Sequence, residues 1–518
     1  MVSVDGILRG EEHPPTANAV VYKTEDKVIA KKYSEKRDRW IRIARGEAGV
    51  DDAEVIQKAL DSLTTGKILI KRGTYLLNNY ILLQKSNVTI EGEGFNTVLK
   101  QSDNANLPLI LGQQHEFTTV VDIMNIIIRN LVIDYNKANN THESDGNGIV
   151  LENVCKFVVQ NVLVKDVYRI GILVRGASEG GTIKANIVTD CGDGIWVTCS
   201  GVKNIEIEGN IISGYERYGI AVEDYAEKVV ISGNLVKSIK TEGPIGIALT
   251  PGNKNVVTGN IVLYGEKGIF VAGQGNIVSN NIVIEPLYTG IKIQDALGIC
   301  VEDNLIYNAG EGGTEPFGIL GINSPQMSIQ SNIIVDDQET KTMTHGIFID
   351  ACSYSKLLGN LSIVKEIGFR IKDSNECIIV ANKAKTDAGG TGIYEEGTSN
   401  YNIIALNNVR ENPYRGITFS GAYTLVKHNI GYTTENSGTA KVTGNGTDTT
   451  FTVDITHGLV KDKLVAKITL DREGTVDKVY LVDKDGDGFK ETLRVVVTFA
   501  TAPADGEEVP IYWYAEVV

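Results

Sequence analysis

The sequence predicts an all-β chain whose main part is a solenoid of stacked parallel strands. Three observations predict it: a Gly-Ile pair that recurs through the middle of the chain, an Asn that recurs in phase with that pair, and a composition of 55 Gly against 11 Pro in 518 residues. Abundant Gly with little Pro is typical of tight turns repeated in a regular structure. The 42% of apolar residues is enough to fill a long core.

The Gly-Ile pair, once Gly-Phe, returns every 22 to 28 residues over twelve repeats. Its glycines are Gly148, Gly171, Gly194, Gly219, Gly246, Gly268, Gly290, Gly318, Gly346, Gly368, Gly392 and Gly416. Counting from each Gly, position +1 is Ile in eleven repeats and position +3 is mostly Val, Ile or Leu, whereas positions +2 and +4 are mixed and often charged. This alternation predicts a β-strand with +1 and +3 buried and with +2 and +4 exposed.

An Asn follows each of these glycines by 13 to 16 residues, from Asn161 in the first repeat to Asn429 in the last. Two markers that stay in phase over twelve periods predict coils that stack on one another with their strands paired in parallel. We expect the asparagines to form a ladder in which each side-chain amide hydrogen-bonds the next. This ladder is a structural feature and carries no chemistry.

These repeats resemble the right-handed parallel β-helix of the pectate-lyase superfamily, which includes pectin-degrading enzymes, alginate epimerases and phage tailspikes. Residues 50–77 add to the resemblance, because they read as an amphipathic helix that starts at Asp51 or Asp52, followed by a strand. Its predicted apolar face is Ile56, Ala59, Leu60 and Leu63. The resemblance implies that this helix caps the first coil, since an open solenoid end exposes core residues and unpaired strand edges.

Three segments follow from these patterns. Residues 46–436 form the predicted β-helix, and residues 1–45 are a charged N-terminal leader or attachment segment. Residues 437–518 alternate like antiparallel strands and predict a separate small β-sandwich. This module resembles the C-terminal modules of viral tail proteins and secreted β-helix proteins. We expect Tyr512 and Tyr514 to lie on its outer face and to support a homotrimer.

Charge and hydropathy exclude several classes of protein. With 50 basic and 65 acidic residues, a net charge of −15 and no basic stripe, the chain is not expected to bind nucleic acid. No apolar run is long enough to span a membrane. The first ten residues lack the features of a secretory signal. We expect a location outside the cell or on a virion surface.

The first candidate site lies on the first four coils, since the resemblance places a polymeric substrate along the outer side of a sheet whose coils are about 4.8 Å apart. Its catalytic candidates are Asp145, Asp190, Asp193 and Glu223. Its candidates for substrate contact are Arg175, Trp196, Arg217 and Tyr218. Two carboxyl groups suit glycoside hydrolysis, whereas an Arg or Tyr base beside a neutralising cation suits elimination from a uronic acid. The sequence leaves both reactions open, and Asp-Gly before a strand is also ordinary turn chemistry.

The second candidate site lies on later coils. Its residues are His345, Asp350, Arg370 and Lys372. The fragments T-H-G-I and R-I-K resemble parts of the polygalacturonase signature, which implies that His345 lies near a reacting centre and that Arg370 and Lys372 hold a substrate carboxylate. The Asn-Thr-Asp and Asp-Asp parts of that signature are missing from the preceding coils. The resemblance therefore implies binding of an anionic sugar more than catalysis.

A third candidate site lies in the C-terminal module. Four acidic residues there take positions 1, 3, 5 and 9 of a calcium-type loop: Asp483, Asp485, Asp487 and Glu491. Position 12, where a bidentate Glu is usual, is Arg494, and a hairpin turn rich in Asp and Gly is the alternative. Neither hydrolysis nor elimination by the first site requires a cofactor, so calcium is the one ion that the sequence predicts.

The hypothesis from the sequence is a carbohydrate-active β-helix protein that binds and cleaves an acidic polysaccharide, as a hydrolase or a lyase, in the manner of a viral tailspike. The alternative comes from a different class of protein. It is a non-catalytic structural or adhesive fibre, in which the same carboxylates are solvated turn residues.

Overall fold

The computed structural model describes residues 17–112, 123–141, 146–239, 241–412, 415–432, 434–459, 464–484 and 490–517. The chain divides into two compact units, unit 1 with residues 1–352 and unit 2 with residues 353–518. The predicted all-β fold is confirmed, with a parallel β-solenoid and small antiparallel sheets at the C-terminus. The predicted segment boundaries at residues 45 and 436 stay predictions.

In the described part of unit 1 there are three long parallel sheets and one two-stranded parallel sheet, and the longest strands turn corners and contribute to more than one of the long sheets. Sheet 1 holds the strands that carry the Gly-Ile pairs. Its strands are Ile81–Leu83, Ile110–Gly112, Ile149–Glu152, Val158–Arg175, Ile187–Val197, Tyr218–Glu223, Ile245–Thr250, Lys267–Gln274, Thr289–Leu297, Phe317–Ile322 and His345–Asp350.

Sheets 2 and 3 complete each coil. The further strands of sheet 2 are Ala19–Lys23, Gly66–Ile70, Val88–Gly92, Ile126–Asp134, Thr182–Lys184, Glu206–Glu208, Val230–Ser232, Val256–Thr258, Ile277–Ser279, Cys300–Glu302 and Ser328–Gln330. Those of sheet 3 are Gly73–Leu77, Thr97–Gln101, Ile211–Ser213, Leu235–Lys237, Ile261–Leu263, Ile282–Ile284, Leu305–Tyr307 and Ile333–Val335.

The N-terminal end of unit 1 carries short antiparallel pairings and the one α-helix among the described residues, α1 at Asp52–Asp61. The remaining elements of this unit are the strands Lys27–Ser34, Arg39–Glu47, Ile123–Met124 and Val154–Cys155 and the 3-10 turns Glu35–Arg37 and Lys137–Asn139. The predicted apolar residues Ile56, Ala59, Leu60 and Leu63 are all buried, although Leu63 lies two residues past the end of α1. Asp52 does not cap the helix: its buried carboxylate accepts hydrogen bonds from Lys23 Nζ at 2.8 Å and from the Leu76 amide at 2.7 Å. It thereby joins the helix to two strands.

The register of sheet 1 follows the Gly-Ile repeat. Ile195, Ile220 and Ile247 are paired in neighbouring strands, and each of them is fully buried. Because the same side chain occupies the same position on successive coils, a column of Ile fills this part of the solenoid interior. The prediction that positions +1 and +3 are buried is confirmed for this strand, since Val222 is fully buried as well.

The predicted asparagine ladder is present. From Asn186 to Asn332 in unit 1, each Nδ2 donates to the Oδ1 of the next asparagine at 2.9 to 3.0 Å. The same contact joins Asn360, Asn382, Asn407 and Asn429 in unit 2. The assignment of Asn161 to the ladder is wrong, because Asn161 is exposed at a corner and donates to Asn130 at 3.3 Å.

Unit 2 contains further solenoid strands and the C-terminal module. Its parallel strands are Lys356–Leu358, Leu361–Val364, Ile367–Lys372, Ile378–Val380, Lys383–Thr386, Thr391–Glu396, Ile403–Ala405, Asn408–Glu411, Arg415–Thr418 and Leu425–Lys427. The module has two three-stranded antiparallel sheets: Glu435–Thr443, Glu508–Val517 and Leu464–Leu470, then Thr450–Thr456, Thr492–Phe499 and Gly474–Val482. Ile511 and Trp513 are buried in its core, and Tyr512 and Tyr514 are exposed, as the alternation predicts.

Candidate functional site

The outer side of sheet 1 differs from the expectation at position +2. Val150, Leu173, Ala221 and Ala248 all occupy this outward position, yet none is more than 4% exposed. The prediction that +2 is exposed is wrong for these coils, because outward side chains on coils about 4.8 Å apart cover one another. Leu173 and Val150 form a small apolar cluster on this side of the sheet, and Trp196 packs against it.

On the two coils after Trp196, the outward column of sheet 1 holds small side chains. The register places Ala221 beside Trp196 and Ala248 beside Ala221, with Phe270 on the following coil. The side chain at this position therefore drops from an indole to a methyl group for two coils, which span roughly 10 Å. Ala221 and Ala248 are both fully buried, so neighbouring side chains cover this part of the column, and the Trp196 ring is half-buried at its end. A partly exposed aromatic ring suits contact with a sugar ring.

The carboxylate of Asp193 is held by three hydrogen bonds. Arg217 donates from Nε to Oδ1 at 3.1 Å and from a terminal nitrogen to Oδ2 at 2.7 Å, and the backbone amide of Tyr218 donates to Oδ1 at 3.0 Å. The Asp193 residue is only 4% exposed. A planar guanidinium that meets a carboxylate at two points is both strongly bound and fixed in orientation. This contact positions Arg217.

The guanidinium of Arg217 lies over two aromatic rings. Its Cζ is 4.7 Å from the centre of the Trp196 ring and 4.8 Å from that of the Tyr218 ring. The hydrogen bonds with Asp193 raise the pKa of Arg217, so it stays a cation. The indole nitrogen of Trp196 is buried and has no hydrogen-bond acceptor among the described residues. Buried donors without an acceptor are rare in folded proteins.

Glu223 has no ion-pair partner among the residues that the structure describes. Burial raises the pKa of Glu223, and the negative charges of Asp224 and Asp193 raise it further, against the opposing effects of a hydrogen bond from Thr250 and of the Arg217 charge. The Thr250 hydroxyl donates to Oε1 at 2.9 Å. A carboxyl group with a raised pKa keeps its proton to higher pH and can donate it.

Asp193 and Glu223 do not stand opposite each other. The register pairs Asp193 with Tyr218, which precedes Glu223 by five residues on the same strand. Five residues of β-strand extend roughly 16 Å between Cα atoms. Asp193 and Glu223 lie on neighbouring coils, as expected. The expectation did not include the distance between them along the strand.

The other candidates of the first cluster are placed as follows. Asp145 lies outside the described residues. Asp190 is an exposed corner residue with a positive φ of 56°, and its carboxylate accepts the Thr189 hydroxyl at 2.9 Å. Arg175 is paired with Glu152 on the preceding coil, at 2.9 Å and 3.1 Å. The structure therefore brings together Asp193, Trp196, Arg217 and Tyr218. Glu223 lies further along the strand of Tyr218, beside Thr250 of the next coil, and Asp190 lies apart from both.

The second cluster falls in both compact units. In unit 1, His345 is 7% exposed, its Nδ1 is 2.8 Å from the Thr344 hydroxyl, and its ring meets the edge of Phe317 at 4.9 Å. Asp350 ends the same strand and is half-buried. The His345 ring is also 5.7 Å from that of Phe348, a half-buried residue at the outward position +2, and the proposed place of His345 near a reacting centre stays a prediction.

In unit 2, Arg370 is already neutralised. Its Nε donates to Glu396 Oε1 at 2.8 Å, on the next coil of this unit. Lys372 is 3.8 Å from the carboxylate of Asp373, the following residue. Each of these cations has a carboxylate of the chain beside it, and their proposed contact with a substrate carboxylate stays a prediction.

The calcium-type loop is described only at its ends. Asp485 and Asp487 lie outside the described residues. Glu491 Oε1 accepts hydrogen bonds from the Lys484 amide at 3.1 Å and from the Thr492 hydroxyl at 2.9 Å. Calcium binding by Asp483 and Glu491 stays a prediction. Elsewhere in the described ranges, no group of three or more His, Cys, Asp or Glu side chains could hold a metal ion.

Sequence reasoning missed Thr250, Ala221 and Ala248. Thr250 takes the same repeat position, +4, as Glu223 one coil earlier, and the two residues are paired in register. The two alanines both take position +2. The position of each residue in its repeat could have identified them, because it places Thr250 in the same column as Glu223 and the two alanines in the same column as Trp196.

Two families match the chain. One, described as periplasmic copper-binding protein (NosD), matches residues 177–317 and 246–416, and the other, described as right-handed β-helix region, matches residues 75–236. The Bacillus subtilis protein YclG is 22% identical over 229 residues, which are 40% of this chain and 37% of YclG. The match thus spans little more than a third of that relative. Within the described ranges, none of the helical segments has the length and apolar character that a membrane crossing needs.

Two phage tailspikes have similar structures. The tailspike of E. coli bacteriophage HK620, solved in complex with a pentasaccharide, is 14% identical, with 94% of this chain and 92% of that chain covered at a TM-score of 0.53. The tailspike gp61 of Pseudomonas phage phi297 is 11% identical, with 89% and 91% covered at a TM-score of 0.50. At these low sequence identities, the likeness shows that the fold is shared and nothing more. Together with the family matches, it confirms the expected resemblance: the chain is a right-handed parallel β-helix protein.

Proposed function

We propose that this protein binds a polysaccharide on the outer side of sheet 1 and hydrolyses it, with Glu223 as the proton donor. The observation that carries the proposal is the state of Glu223: a half-buried carboxyl group with a raised pKa and no ion-pair partner among the described residues, on the same strand as Tyr218. Charged residues at comparable outward positions, such as Glu152 and Arg175, are paired with each other. A carboxyl group left unpaired and partly desolvated is typical of an acid catalyst.

The geometry supports a simple division of roles. Hydrolysis breaks the bond between the anomeric carbon and the leaving oxygen and forms a bond between that carbon and a water oxygen. A protonated Glu223 gives its proton to the leaving oxygen, and the proton that the attacking water loses restores the protonated carboxyl group through solvent. Trp196 is half-buried and has the Arg217 guanidinium 4.7 Å from its ring centre, and the part of the indole that remains exposed can contact a sugar ring. Asp193 acts as a positioning residue, because its carboxylate already holds Arg217 at two points.

The raised pKa of Tyr218 favours hydrolysis over elimination. Burial raises the pKa of Tyr218, and the charge of Glu223 raises it further. A phenol with a raised pKa keeps its proton, so it makes a poor base for removing a proton from a uronic acid. Tyr218 is instead suited to donate a hydrogen bond to a sugar oxygen.

Preference for an acidic polymer rests on Arg217. The Arg217 side chain is 51% exposed in its pair with Asp193, whereas the Arg370 side chain is 26% exposed in its pair with Glu396, so Arg217 is the more accessible of these two paired cations. The net charge of −15 works against long polyanions in general, and a local cation can overcome this effect. We therefore propose an acidic polysaccharide as the substrate class.

The deciding experiment is incubation with a panel of acidic and neutral polysaccharides, followed by assays for new reducing ends and for the absorbance of unsaturated products. New reducing ends without unsaturation are expected, and Glu223→Gln should abolish them. The matched control is Glu206→Gln, which changes an exposed glutamate on the outer side of sheet 2. Unsaturated products would identify a lyase. No cleavage of any polymer, with or without binding, would support the fibre alternative.

We also propose that the protein works as a homotrimer outside the cell or on a virion surface. Supporting features are the fold shared with phage tailspikes and the exposure of Tyr512 and Tyr514, at 45% and 38%. Light scattering on the purified chain tests the assembly. A mass three times that of one 56.2 kDa chain is expected, and a mass of one chain at every concentration would exclude it.

A further inference from the structure

Two tyrosine rings are stacked on the surface of unit 2. The centres of the Tyr401 and Tyr423 rings are 5.0 Å apart, and the angle between the ring planes is 6°. Both residues are exposed, at 58% and 68%. The separation of the rings matches the spacing of about 4.8 Å between neighbouring coils. Tyr423 therefore covers one face of the Tyr401 ring, and the opposite face is turned towards the preceding coil.

The rings occupy one corner position of the solenoid. Four strands of unit 2 pair side by side in register: Lys356–Leu358, Ile378–Val380, Ile403–Ala405 and Leu425–Lys427. Two residues before these strands stand, in order, Tyr354, Glu376, Tyr401 and Tyr423. The coil before Tyr401 thus has a carboxylate where the other three coils have a ring. This exchange leaves space beside the free face of Tyr401.

A depression of about 390 Å³ occupies this space. It is lined by Glu376, Cys377 and Ile378 of one coil and by Tyr401 and Ile403 of the next. Its volume lies within the range of sites for small molecules. Ile378 is half-buried and Ile403 is exposed, so both contribute apolar surface to the lining. Among the five lining residues, Glu376 alone carries a charge.

One residue fixes the parts of this site relative to one another. The Asn400 side-chain oxygen accepts hydrogen bonds from the backbone amides of Tyr401 at 2.9 Å and of Tyr423 at 2.8 Å. The Asn400 carbonyl accepts the backbone amide of Glu376 at 3.1 Å. The backbones that carry the two rings and the carboxylate are therefore held before any ligand arrives, which lowers the entropy cost of binding.

The backbone at this corner is unfavourable for large side chains. Tyr354, Glu376 and Tyr401 have φ angles of 61°, 56° and 56°. At the equivalent corner of four coils in unit 1, the residues with positive φ are Lys228, Lys254, Gly275 and Gly298. A bulky residue is uncommon in this conformation. Because the tyrosines remain exposed, burial does not offset the cost, and strain of this kind is typical of functional positions.

The chemistry of the lining favours an uncharged sugar residue. One face of a sugar ring is made mostly of C–H groups, which pack on an aromatic ring and on aliphatic side chains. The hydroxyl groups at the rim of the sugar are donors, and an ionised carboxylate such as that of Glu376 is an acceptor only. The same carboxylate repels an acidic sugar. A small cation usually binds within several ring faces, whereas one ring face is free here.

We propose that the depression between Glu376 and Tyr401 binds a neutral sugar residue. The C–H face of the sugar lies on the free face of Tyr401, and its hydroxyl groups donate to Glu376. The inference goes beyond the proposed catalysis and does not depend on it, since no residue of the depression belongs to the site around Glu223. Stacking of Tyr401 on Tyr423 for stability alone is the competing explanation.

Saturation-transfer NMR and calorimetric titration of the full chain test the proposal. The neutral probes are the methyl glycosides of glucose, galactose and N-acetylglucosamine, and the comparison probes are methyl glucuronide and tetramethylammonium. We expect at least one neutral glycoside to bind in the millimolar range and both comparison probes to bind more weakly. Tyr401→Asn should weaken binding of the neutral glycoside about five- to tenfold, the range for loss of an aromatic contact.

Leu406→Asn is the matched control. Leu406 is 59% exposed with a φ of 58°, it lies at another corner of unit 2, and it does not line the depression. Since Asn is favoured at positive φ, both substitutions remove an exposed apolar side chain and leave the backbone unstrained. Leu406→Asn should leave the affinity unchanged. Glu223→Gln should also leave it unchanged, so a failure of this proposal and a failure of the proposed catalysis are separate results.

Five results would overturn the proposal. They are the absence of binding by every neutral glycoside, tighter binding of either comparison probe, unchanged affinity in Tyr401→Asn, an equal loss of affinity in Leu406→Asn, and a loss of binding in Glu223→Gln. Far-ultraviolet circular dichroism checks that each variant folds. If Tyr401→Asn does not fold, Glu376→Tyr replaces it, because a ring at that position fills the depression. Unchanged affinity in Glu376→Tyr would then overturn the proposal.

Discussion

The Asp193 carboxylate and the Arg217 guanidinium form a two-point ion pair between neighbouring coils, at 3.1 and 2.7 Å. The two side chains differ in exposure, with 6% of the Asp193 side chain and 51% of the Arg217 side chain accessible. The pair therefore has one end fixed beneath the surface and one end available to a ligand. A carboxylate engaged in this way holds a cation in place and has little freedom to transfer protons.

Asp193→Asn is expected to lower the free energy of unfolding by about 1–3 kcal/mol, because hydrogen bonds to a charged, buried acceptor are lost. It should raise KM more than it lowers kcat, since Arg217 is no longer held over Trp196. Denaturant unfolding and steady-state kinetics on a cleaved polysaccharide measure both effects. Arg217→Lys is the matched variant, and it should shift KM in the same direction because Lys lacks the planar fork. A large loss of kcat at unchanged KM in Asp193→Asn would instead make Asp193 a proton-transfer group.

Glu223→Gln is expected to lower kcat about 10²- to 10⁴-fold, the range for loss of a general acid. In the unchanged protein, kcat/KM should fall as the pH rises through the raised pKa of Glu223, since only the protonated carboxyl donates. Rate measurements across the pH range test this. A profile with the same alkaline limb in Glu223→Gln would assign that limb to another group.

The same pKa shift gives a stability prediction. Burial raises the pKa of Glu223, so the folded protein binds this proton more tightly than the unfolded chain does. The resulting stabilisation is complete below the unfolded pKa of about 4.3, and it is lost as the pH rises through the folded pKa. Glu223→Gln should therefore be more stable than the unchanged protein at pH 7, and the difference should disappear near pH 3.5. Denaturant unfolding at both pH values measures it, and lower stability of the variant at pH 7 would contradict the desolvation of Glu223.

The parts of the fold that the sequence predicts are those that repeat. Ile220 is buried because every coil places an aliphatic residue one position after its Gly, and a periodic pattern of this kind can be read without coordinates. The ladder through Asn234 is predictable for the same reason. Asn161 was assigned wrongly, because sequence phase alone does not tell a ladder position from a nearby corner.

Partners from different coils were harder to predict. The contact between Asp193 and Arg217 joins residues 24 positions apart, and nothing in the local sequence indicates that one carboxylate accepts both nitrogens. Glu395 is a second case. It takes the inward position +3, is 1% exposed, and accepts hydrogen bonds from Asn402 and Thr424 at 2.6 Å each. Such satisfied buried polar groups depend on three-dimensional neighbours, which a repeat pattern does not specify.

Asn234→Ala tests the ladder. The Asn234 side chain accepts from Asn210, donates to Asn260 and donates to the Ile207 carbonyl, each at 2.9 Å. Alanine leaves buried donors and acceptors unpaired on both neighbouring coils, which costs about 1–3 kcal/mol for each group. We expect a loss of several kcal/mol in denaturant unfolding. Asn161→Ala is the control and should change stability by less than about 0.5 kcal/mol, because Asn161 is exposed. Equal effects of the two changes would contradict a structural ladder.

Calcium addition tests the predicted loop in the C-terminal module. An ion that binds only the folded module raises its melting temperature by mass action. We expect calcium to raise the melting temperature and a chelator to reverse the rise, as followed by differential scanning calorimetry. Asp483→Asn removes one carboxylate from position 1 of the loop and should reduce the effect. A melting temperature indifferent to calcium, together with no heat in a calorimetric titration, would leave the hairpin turn as the correct interpretation.

Ile220→Ala tests the register of the solenoid core. Ile220 is fully buried between Ile195 and Ile247 of the neighbouring coils, so deletion of three carbon atoms leaves a cavity in a stacked column that cannot close without moving its neighbours. Changes of this kind cost about 2–5 kcal/mol. Ile277→Ala is the matched control, because the same atoms are removed from a side chain that is 37% exposed, and it should cost less than half as much. Denaturant unfolding of both variants gives the comparison. If the two losses were equal, the inward position of the residue after each Gly would be wrong, and with it the outward positions that place Trp196 and Glu223 on the surface of sheet 1.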